Sequence, residues 1–217
     1  MFKKLFSWWH EEILLRQALD DSAAALDKAG EMFSFAMDLL SEGMGEKQKI
    51  YDMDQEVNAL QIDIRKKVLE HLTISPEQDV TASLVLITII VDIERIGDFA
   101  KNIVELHNMG PGKLRDGRYV KEIQTIREKI ESAIPATRSA FVDADAGRAK
   151  ELLAEFVWVG HKCDTVLEAL VGDESLQVRE AVVYGLLFRY LKRISAHLRN
   201  IASSVVNPFH RLGYRPD

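Results

Sequence analysis

The segment from Leu84 to Leu106 leaves this chain few folds to choose from. Its β-branched run at Val85, Ile87, Thr88, Ile89, Ile90 and Val91 has the composition of a buried strand. Leu86, Ile89, Ile93, Ile96, Ala100 and Ile103, however, recur at helical spacing and hold one face for about five turns, longer than ordinary strands run. The spacing therefore predicts a long helix with one apolar stripe, and such a stripe has to be covered by other helices.

The rest of the chain supplies them. A helical pattern opens near Ser7, with Glu11 and Glu12 in its first turn. It carries Leu15, Leu19, Leu26, Met32/Phe33, Ala36/Met37 and Leu40 to Glu42, and stops at 43-GMG-45. A second helix is expected from Glu46 to His71 on Met53, Val57, Leu60, Ile64 and Val68. The third is expected to start at 75-SPEQ-78, with Ser75 as cap, Pro76 in the first helical position and Gln78 closing a capping box. Three further helices are predicted over Tyr119 to Val142, kinked at Pro135, over Asp145 to Val171 with Asp145 as cap, and over Glu174 to Val206. No stretch reads convincingly as a strand. Gly110-Pro111-Gly112 and the charged residues after it mark a linker, giving 1–109 as one three-helix unit, 110–118 as the link and 119–217 as the second unit.

The two units share a frame. Arg95, Ile96, Asn102 and Ile103 in 92-DIERIGDFAKNI-103 superpose on Arg193, Ile194, Asn200 and Ile201 in 190-YLKRISAHLRNI-201, 98 residues later. Such self-similarity points to duplication of a three-helix unit. The copies differ in charge. Pro76 to Leu106 holds six acids and two bases, whereas Ser175 to Val206 holds five bases and one acid. A helix of the second kind suits an anion, an acidic partner or a lipid headgroup, or pairs with the acidic helix in a symmetric dimer.

Composition narrows the function. A net charge of -6 argues against nucleic acid as a partner, since phosphate contacts need a concentrated positive face. One cysteine, Cys163, leaves neither an internal disulfide framework nor a thiolate zinc site, so a cytoplasmic address is expected, with Cys163 as a small buried residue. The longest strictly apolar runs fall far short of the roughly 20 residues of a membrane span. The start, 1-MFKKLFSWWH-10, lacks the pattern of a secretion signal; Phe2, Leu5, Phe6, Trp8 and Trp9 beside two lysines suit either a membrane surface or a fold back onto the bundle.

Chemistry concentrates on the first copy. Glu94 and Asp98 stand four residues apart on the side of the helix away from its apolar stripe, like charges that cost about 0.2–0.5 kcal/mol unless something compensates them. Water, Arg95 and Lys101 suffice for a solvated face. The second helix adds Asp52, Asp54 and Glu56, with Asp52 and Glu56 again four apart. Oxygen-rich acids without cysteine suit a hard cation such as magnesium, calcium, manganese or iron. Gly97 offers a close helix approach beside them. A di-iron enzyme of the bundle type needs Glu-x-x-His on two helices, which is absent, and His71, His107, His161 and His197 read as structural. There is no Walker loop and no G-x-G-x-x-G.

The stretch Asp92-Ile-Glu-Arg-Ile-Gly-Asp98, followed by Asn102-Ile103, resembles the E/D-x-x-x-D signature of the PhoU family of phosphate-uptake regulators, and 56-EVNALQIDI-64 resembles that family's second-helix pattern. The resemblance implies an all-α fold of two tandem three-helix bundles. It also implies a cytoplasmic, non-enzymatic regulator at the inner face of the membrane, a homodimer or other homo-oligomer, linking a phosphate transporter component to a sensor histidine kinase. On it, Glu94 and Asp98 become ligands of a divalent or trivalent metal, iron among the candidates, with Glu56 and Asp52 contributing from the neighbouring helix. In the second copy Lys192, Ser195 and Ala196 replace the signature residues, which speaks against a second metal cluster. The alternative is a metal-free helical adaptor that docks on a membrane transporter or membrane surface through residues 1–9 and the basic last helix.

Overall fold

Each apolar stripe becomes the buried face of a helix. The computed structural model describes residues 13–43, 45–109, 114 and 117–214. Among them lie α1 (Ile13–Glu42), α2 (Gln48–Ile74), α3 (Val80–Met109), α4 (Arg118–Val142), α5 (Ala146–Val171) and α6 (Val178–Val206), with a short 3-10 turn at Phe209–Arg211. No strand occurs among the described residues. The Ser7 cap, the aromatic residues 2–9 and Gly110-Pro111-Gly112 lie outside them. The predicted stripes are buried: Leu15, Leu19, Leu26, Phe33 and Met37 on α1, Val57, Ile64 and Val68 on α2, and Ile89, Ile93, Ile96, Ala100 and Ile103 on α3.

The helix ends follow local chemistry. Gly43, with φ 76°, closes α1 in the left-handed conformation that glycine adopts without penalty. Asp145 caps α5, its carboxylate accepting from the backbone N–H of Gly147 at 2.9 Å and of Arg148 at 3.0 Å. Two expectations need correction. Ser75 does not cap α3: its N–H bonds back to the His71 carbonyl at 2.8 Å and so ends α2. Residues 75–79 form a turn, and Asp79, with φ 51°, stands outside any right-handed helix, so α3 starts at Val80. The last helix starts at Val178 rather than Glu174, because Asp173 holds Ser175 through both its N–H, at 3.1 Å, and its hydroxyl, at 2.5 Å. Pro135 sits within α4, which continues past it to Val142.

Within each triplet the helices run antiparallel. α2 packs on α1 and α3, and α5 on α4 and α6. The triplets meet along α3 with α6 and along α1 with α4, and their buried side chains form one continuous core. On the α1–α4 seam a Cβ added to Gly30 would lie 2.9 Å from Cγ2 of Ile134, so only glycine permits that approach. Arg127 reaches Asp38 at 2.5 Å and Arg138 reaches Asp27 at 2.8 Å across the same seam. Gly97 plays the comparable part within the first triplet, where its bare backbone lies against Met32 of α1.

Along α3 and α6 the two copies of the repeated frame face each other, in opposite directions. Asp92 accepts hydrogen bonds from His197 Nδ1 at 2.7 Å and Asn200 Nδ2 at 2.9 Å. Phe99 lies 5.8 Å from the rings of both Tyr190 and His197, and the Arg193 guanidinium sits over its face. Since 99 + 98 = 197, Phe99 and His197 are the same position of the repeat meeting near a local two-fold axis. The Asp92–His197 and Tyr190–Phe99 pairs are related by that axis. The acidic and basic copies are therefore partners inside one chain.

Candidate functional site

The signature acids stand on the flank of α3 turned towards α2. Both are partly buried, because the stripe beside them is pinned to α1 through Gly97 and Met32. Asp98 is fully engaged: Oδ1 takes the Lys101 ammonium at 2.9 Å and Oδ2 takes Arg95 at 3.0 Å. Lys101 also reaches Asp54 Oδ1 on α2 at 2.9 Å, and Asn58 donates to Asp54 Oδ2 at 3.2 Å. Burial pulls the Lys101 pKa down, but its bonds to Asp54 and Asp98 more than offset that and leave it raised. Glu94 is the least compensated of the three acids, with Arg95 Nε at 3.6 Å. Burial raises its pKa and the Asp98 charge raises it further, against the opposing pull of Arg95 and Lys101.

The structure brings Asp54 to the signature pair, and takes Asp52 and Glu56 elsewhere. Glu56 pairs with Lys28 of α1 at 3.0 Å, and Asp52 is exposed and accepts from Gln48 at 3.2 Å. The reason is helical phase. Residues two apart point about 160° away from each other, so Asp54 faces α3 while Asp52 and Glu56 share the opposite flank. The i, i+4 rule finds acids that neighbour each other on one helix; phase relative to the apolar stripe finds the acid that crosses to the next. Beside Asp98 the surface dips into a hollow that Tyr51, Lys101, Asn102 and Glu105 also line.

As arranged, this is a group of three carboxylates and two cations with a charge of about -1. Glu94 and Asp98 offer hard oxygen donors and a mutual repulsion that a metal ion would relieve. The third acid is bound to Asp98 through an ammonium, and no three His, Cys, Asp or Glu side chains converge on one point among the described residues. Glu94 and Asp98 thus offer two carboxylates to a single hard cation, which would have to displace Lys101 and Arg95, and the described residues offer no donor set for a multinuclear cluster.

Lys192, at the position equivalent to Glu94, binds Asp164 of α5 with Nζ to Oδ2 at 2.6 Å. Ala196 replaces the closing acid. Ser195, in the place of Gly97, is buried and its hydroxyl donates to the Phe156 carbonyl at 3.4 Å. Of the residues read as structural, Cys163 is fully buried, and burial pushes its thiol up to about 12. His197 joins the seam between the copies, a role that the one-helix reading of its neighbours missed and that the 98-residue offset from Phe99 would have indicated.

A family model described as PhoU domain matches residues 24–106, the span from the fourth turn of α1 to the end of the apolar stripe of α3, which includes Asp54, Glu94 and Asp98. The chain is 23% identical over 178 residues to a phosphate-specific transport system accessory protein PhoU homolog of Clostridium acetobutylicum, covering 79% of this chain and 80% of that protein. It is 34% identical over 89 residues to PhoU homolog 2 of Thermotoga maritima, 41% of this chain and 37% of that one. Among solved structures, the phosphate transport system regulatory protein PhoU from Streptococcus pneumoniae superposes with a TM-score of 0.78 at 16% identity, over 88% of this chain and 93% of that chain. PhoU from Pseudomonas aeruginosa superposes with a TM-score of 0.68 at 20% identity, over 95% and 97%. Residues 24–106, with the signature acids inside them, thus match the PhoU domain, and the chain has the fold of PhoU structures over most of its length.

Proposed function

We propose that this protein regulates phosphate uptake and phosphate-responsive signalling by binding a component of the phosphate transport system, a sensor histidine kinase, or both, and that it does so without catalysis. The observation that carries this reading is the family match over residues 24–106 on a chain whose fold is that of PhoU structures over nearly its whole length. The acid group supports a role by contact. Asp54, Glu94 and Asp98 sit at the surface beside an open hollow, with Glu94 left short of a partner, so an incoming cationic group finds a carboxylate ready to pair.

A cation site on the first repeat belongs to the same proposal. A divalent or trivalent ion, iron included, would be held by Glu94 and Asp98, with Asp54 joining when Lys101 is displaced. Bound there, it would supply charge neutralisation and tie α2 to α3. The metal-free adaptor is the second reading, and Lys101 favours it, because its ammonium already joins Asp54 to Asp98. Elemental analysis by plasma mass spectrometry separates the two. Near-stoichiometric metal that is lost in Glu94→Ala/Asp98→Ala supports the cation site; a folded protein that stays metal-free after reloading with iron, manganese and magnesium supports the adaptor.

The regulatory reading is tested by titrating the purified protein against the transport-system ATPase and the kinase's cytoplasmic portion from the same genome. Binding to at least one with a Kd at or below about 10 μM is expected. No binding to either at concentrations well above that would overturn it.

A further inference from the structure

The 98-residue offset extends beyond the motif. It sets Val80, the first residue of α3, on Val178, the first residue of α6, with no gap along either helix. Lys101, Asn102 and Glu105 of α3 therefore have Arg199, Asn200 and Ser203 of α6 as their equivalents, on the same flank of the equivalent helix. In the second copy these three positions hold a piece of backbone. Beyond α6 the chain turns through Phe209–Arg211 and returns as a hook. The Gly213 N–H donates to Ser203 Oγ at 2.7 Å, and its carbonyl accepts from Arg199 Nη2 at 3.5 Å. A Cβ added to Gly213 would lie 2.8 Å from Asn200 Oδ1, and its φ is 80°, so glycine brings the turn this close. Asn207 secures the return by donating to the carbonyls of Arg211 at 3.1 Å and Tyr214 at 2.8 Å, while Leu212 packs on the core.

In the first copy the same three positions line the hollow beside Asp98, which has a volume of about 380 Å³ and whose described walls come only from α2 and α3. Asn102, Glu105 and Tyr51, on the α2 rim, form no hydrogen bond or ion pair with a described residue. Leu114, the equivalent of Leu212, is buried as Leu212 is, but α4 begins four residues later at Arg118. Met109 stands where Asn207 would secure a return. The first copy thus keeps the residues that seat a turn and lacks the one that folds its own chain onto them.

We propose that this hollow receives a turn of a partner protein, with a glycine at the closest approach and a basic side chain next to it, as the second copy receives its own Gly213. The proposal rests on the reading that the protein works by contact. Asn102 offers an amide donor and acceptor to the incoming backbone. Glu105, in the place of Ser203, accepts a backbone N–H with a carboxylate and adds a charge for an arginine or lysine of the occupant. Arg95 and Lys101 do not supply that base, since they are held by Glu94, Asp98 and Asp54. Lys101 makes two of the three bonds open to an ammonium, and the third is left for a carbonyl, as Arg199 serves Gly213. Tyr51, 41% exposed, gives the cation an aromatic face. The hook itself reads 211-RLGYR-215, a glycine between basic residues, and so supplies a probe of the right class.

The test titrates the end-capped peptide RLGYR into isotopically labelled full-length protein and follows the side-chain amide of Asn102 by NMR. Saturable shifts are expected, with at least tenfold weaker binding of RLVYR and of ELGYE, and Glu105→Lys is expected to reverse the preference between RLGYR and ELGYE. No shift at Asn102 by about 10 mM peptide, or equal binding of all three peptides, overturns the proposal. Titration against the transport-system ATPase and the kinase portion separates the site from the regulatory reading. Where the wild type binds one of them, at least a tenfold loss is expected in Asn102→Ala/Glu105→Lys, with its fold checked by circular dichroism. Undiminished binding overturns the site and leaves regulation by contact standing, whereas a wild type that binds neither overturns that reading and the proposal with it. Dimerisation that is lost in the same variant would assign the hollow to a second copy of this chain and overturn the proposal as well.

Discussion

At the scale of single residues, Glu94 carries the clearest electrostatic strain. Burial and Asp98 raise its pKa in the folded state, so between its unfolded and folded values the native protein holds more protons than the unfolded chain. Stability then falls as pH rises through that window. Glu94→Gln, which fixes the uncharged form, is expected to raise the melting temperature at neutral pH in chelator-treated protein, with the gain vanishing below the ordinary carboxylate range; an unchanged or lower melting temperature at neutral pH would show that Arg95 compensates the charge fully. Cys163 gives the complementary case of a group removed from chemistry. Fully buried, with its thiol held up to about 12, it should resist alkylation in the native protein and react on denaturation; fast labelling of folded protein would contradict its burial. Spacing drew attention to Glu94 and Asp98, and on α2 to Asp52 and Glu56. The choice of Asp52 and Glu56 over Asp54 missed the acid that reaches Asp98 through Lys101, because it depends on how α2 is rotated against α3, and the apolar stripe of α2 is flanked by acids on both sides.

At the scale of helices, the stripes were legible because burial demands them, and every one predicted on α1, α2 and α3 forms part of the core, with Leu60 only partly covered. Boundaries were less so. Ser75-Pro76 satisfies the pattern of a helix start, but a backbone bond from Ser75 to His71 spends it as a helix end instead. The pairing of α3 with α6 was also hidden, since the opposite charges of the two frames fit a dimer as readily as an internal seam. Asp92→Ala tests that seam: His197 and Asn200 would lose a shared, largely buried acceptor, a loss expected to cost about 1–3 kcal/mol. A cost near zero in chemical denaturation would mean that water replaces the carboxylate. Gly30→Ala tests the other seam. Its methyl would meet Ile134 at 2.9 Å, against a β-branched group with no free rotamer to yield, and overpacking of that kind costs about 1–3 kcal/mol. A neutral or stabilising result would show that α1 and α4 can separate without loss.

At the scale of the whole chain, the two triplets carry different side chains at equivalent places of the repeated frame. The first keeps an acid group at the surface; in the second, Lys192 and Asp164 close an internal pair at the equivalent place, and His197, Asn200 and Tyr190 serve as its face against the first. Because a single core runs through both, the triplets should unfold in one transition, with the same midpoint by circular dichroism and by the fluorescence of Trp158 in a Trp8→Phe/Trp9→Phe variant. Two separated midpoints would mean that the seam is a docking surface between independent folding units. Helix count and repeat were readable from periodicity and offset; the mutual fit of the copies was not, because it is a property of their packing. The most direct test of the account is a phosphate-starvation reporter in phosphate-replete cells whose own PhoU protein has been deleted. The account predicts that this protein represses the reporter and that a folded, equally expressed Glu94→Ala/Asp98→Ala variant does not. A wild-type protein that accumulates without repressing, or a double variant that represses as well as the wild type, would contradict it.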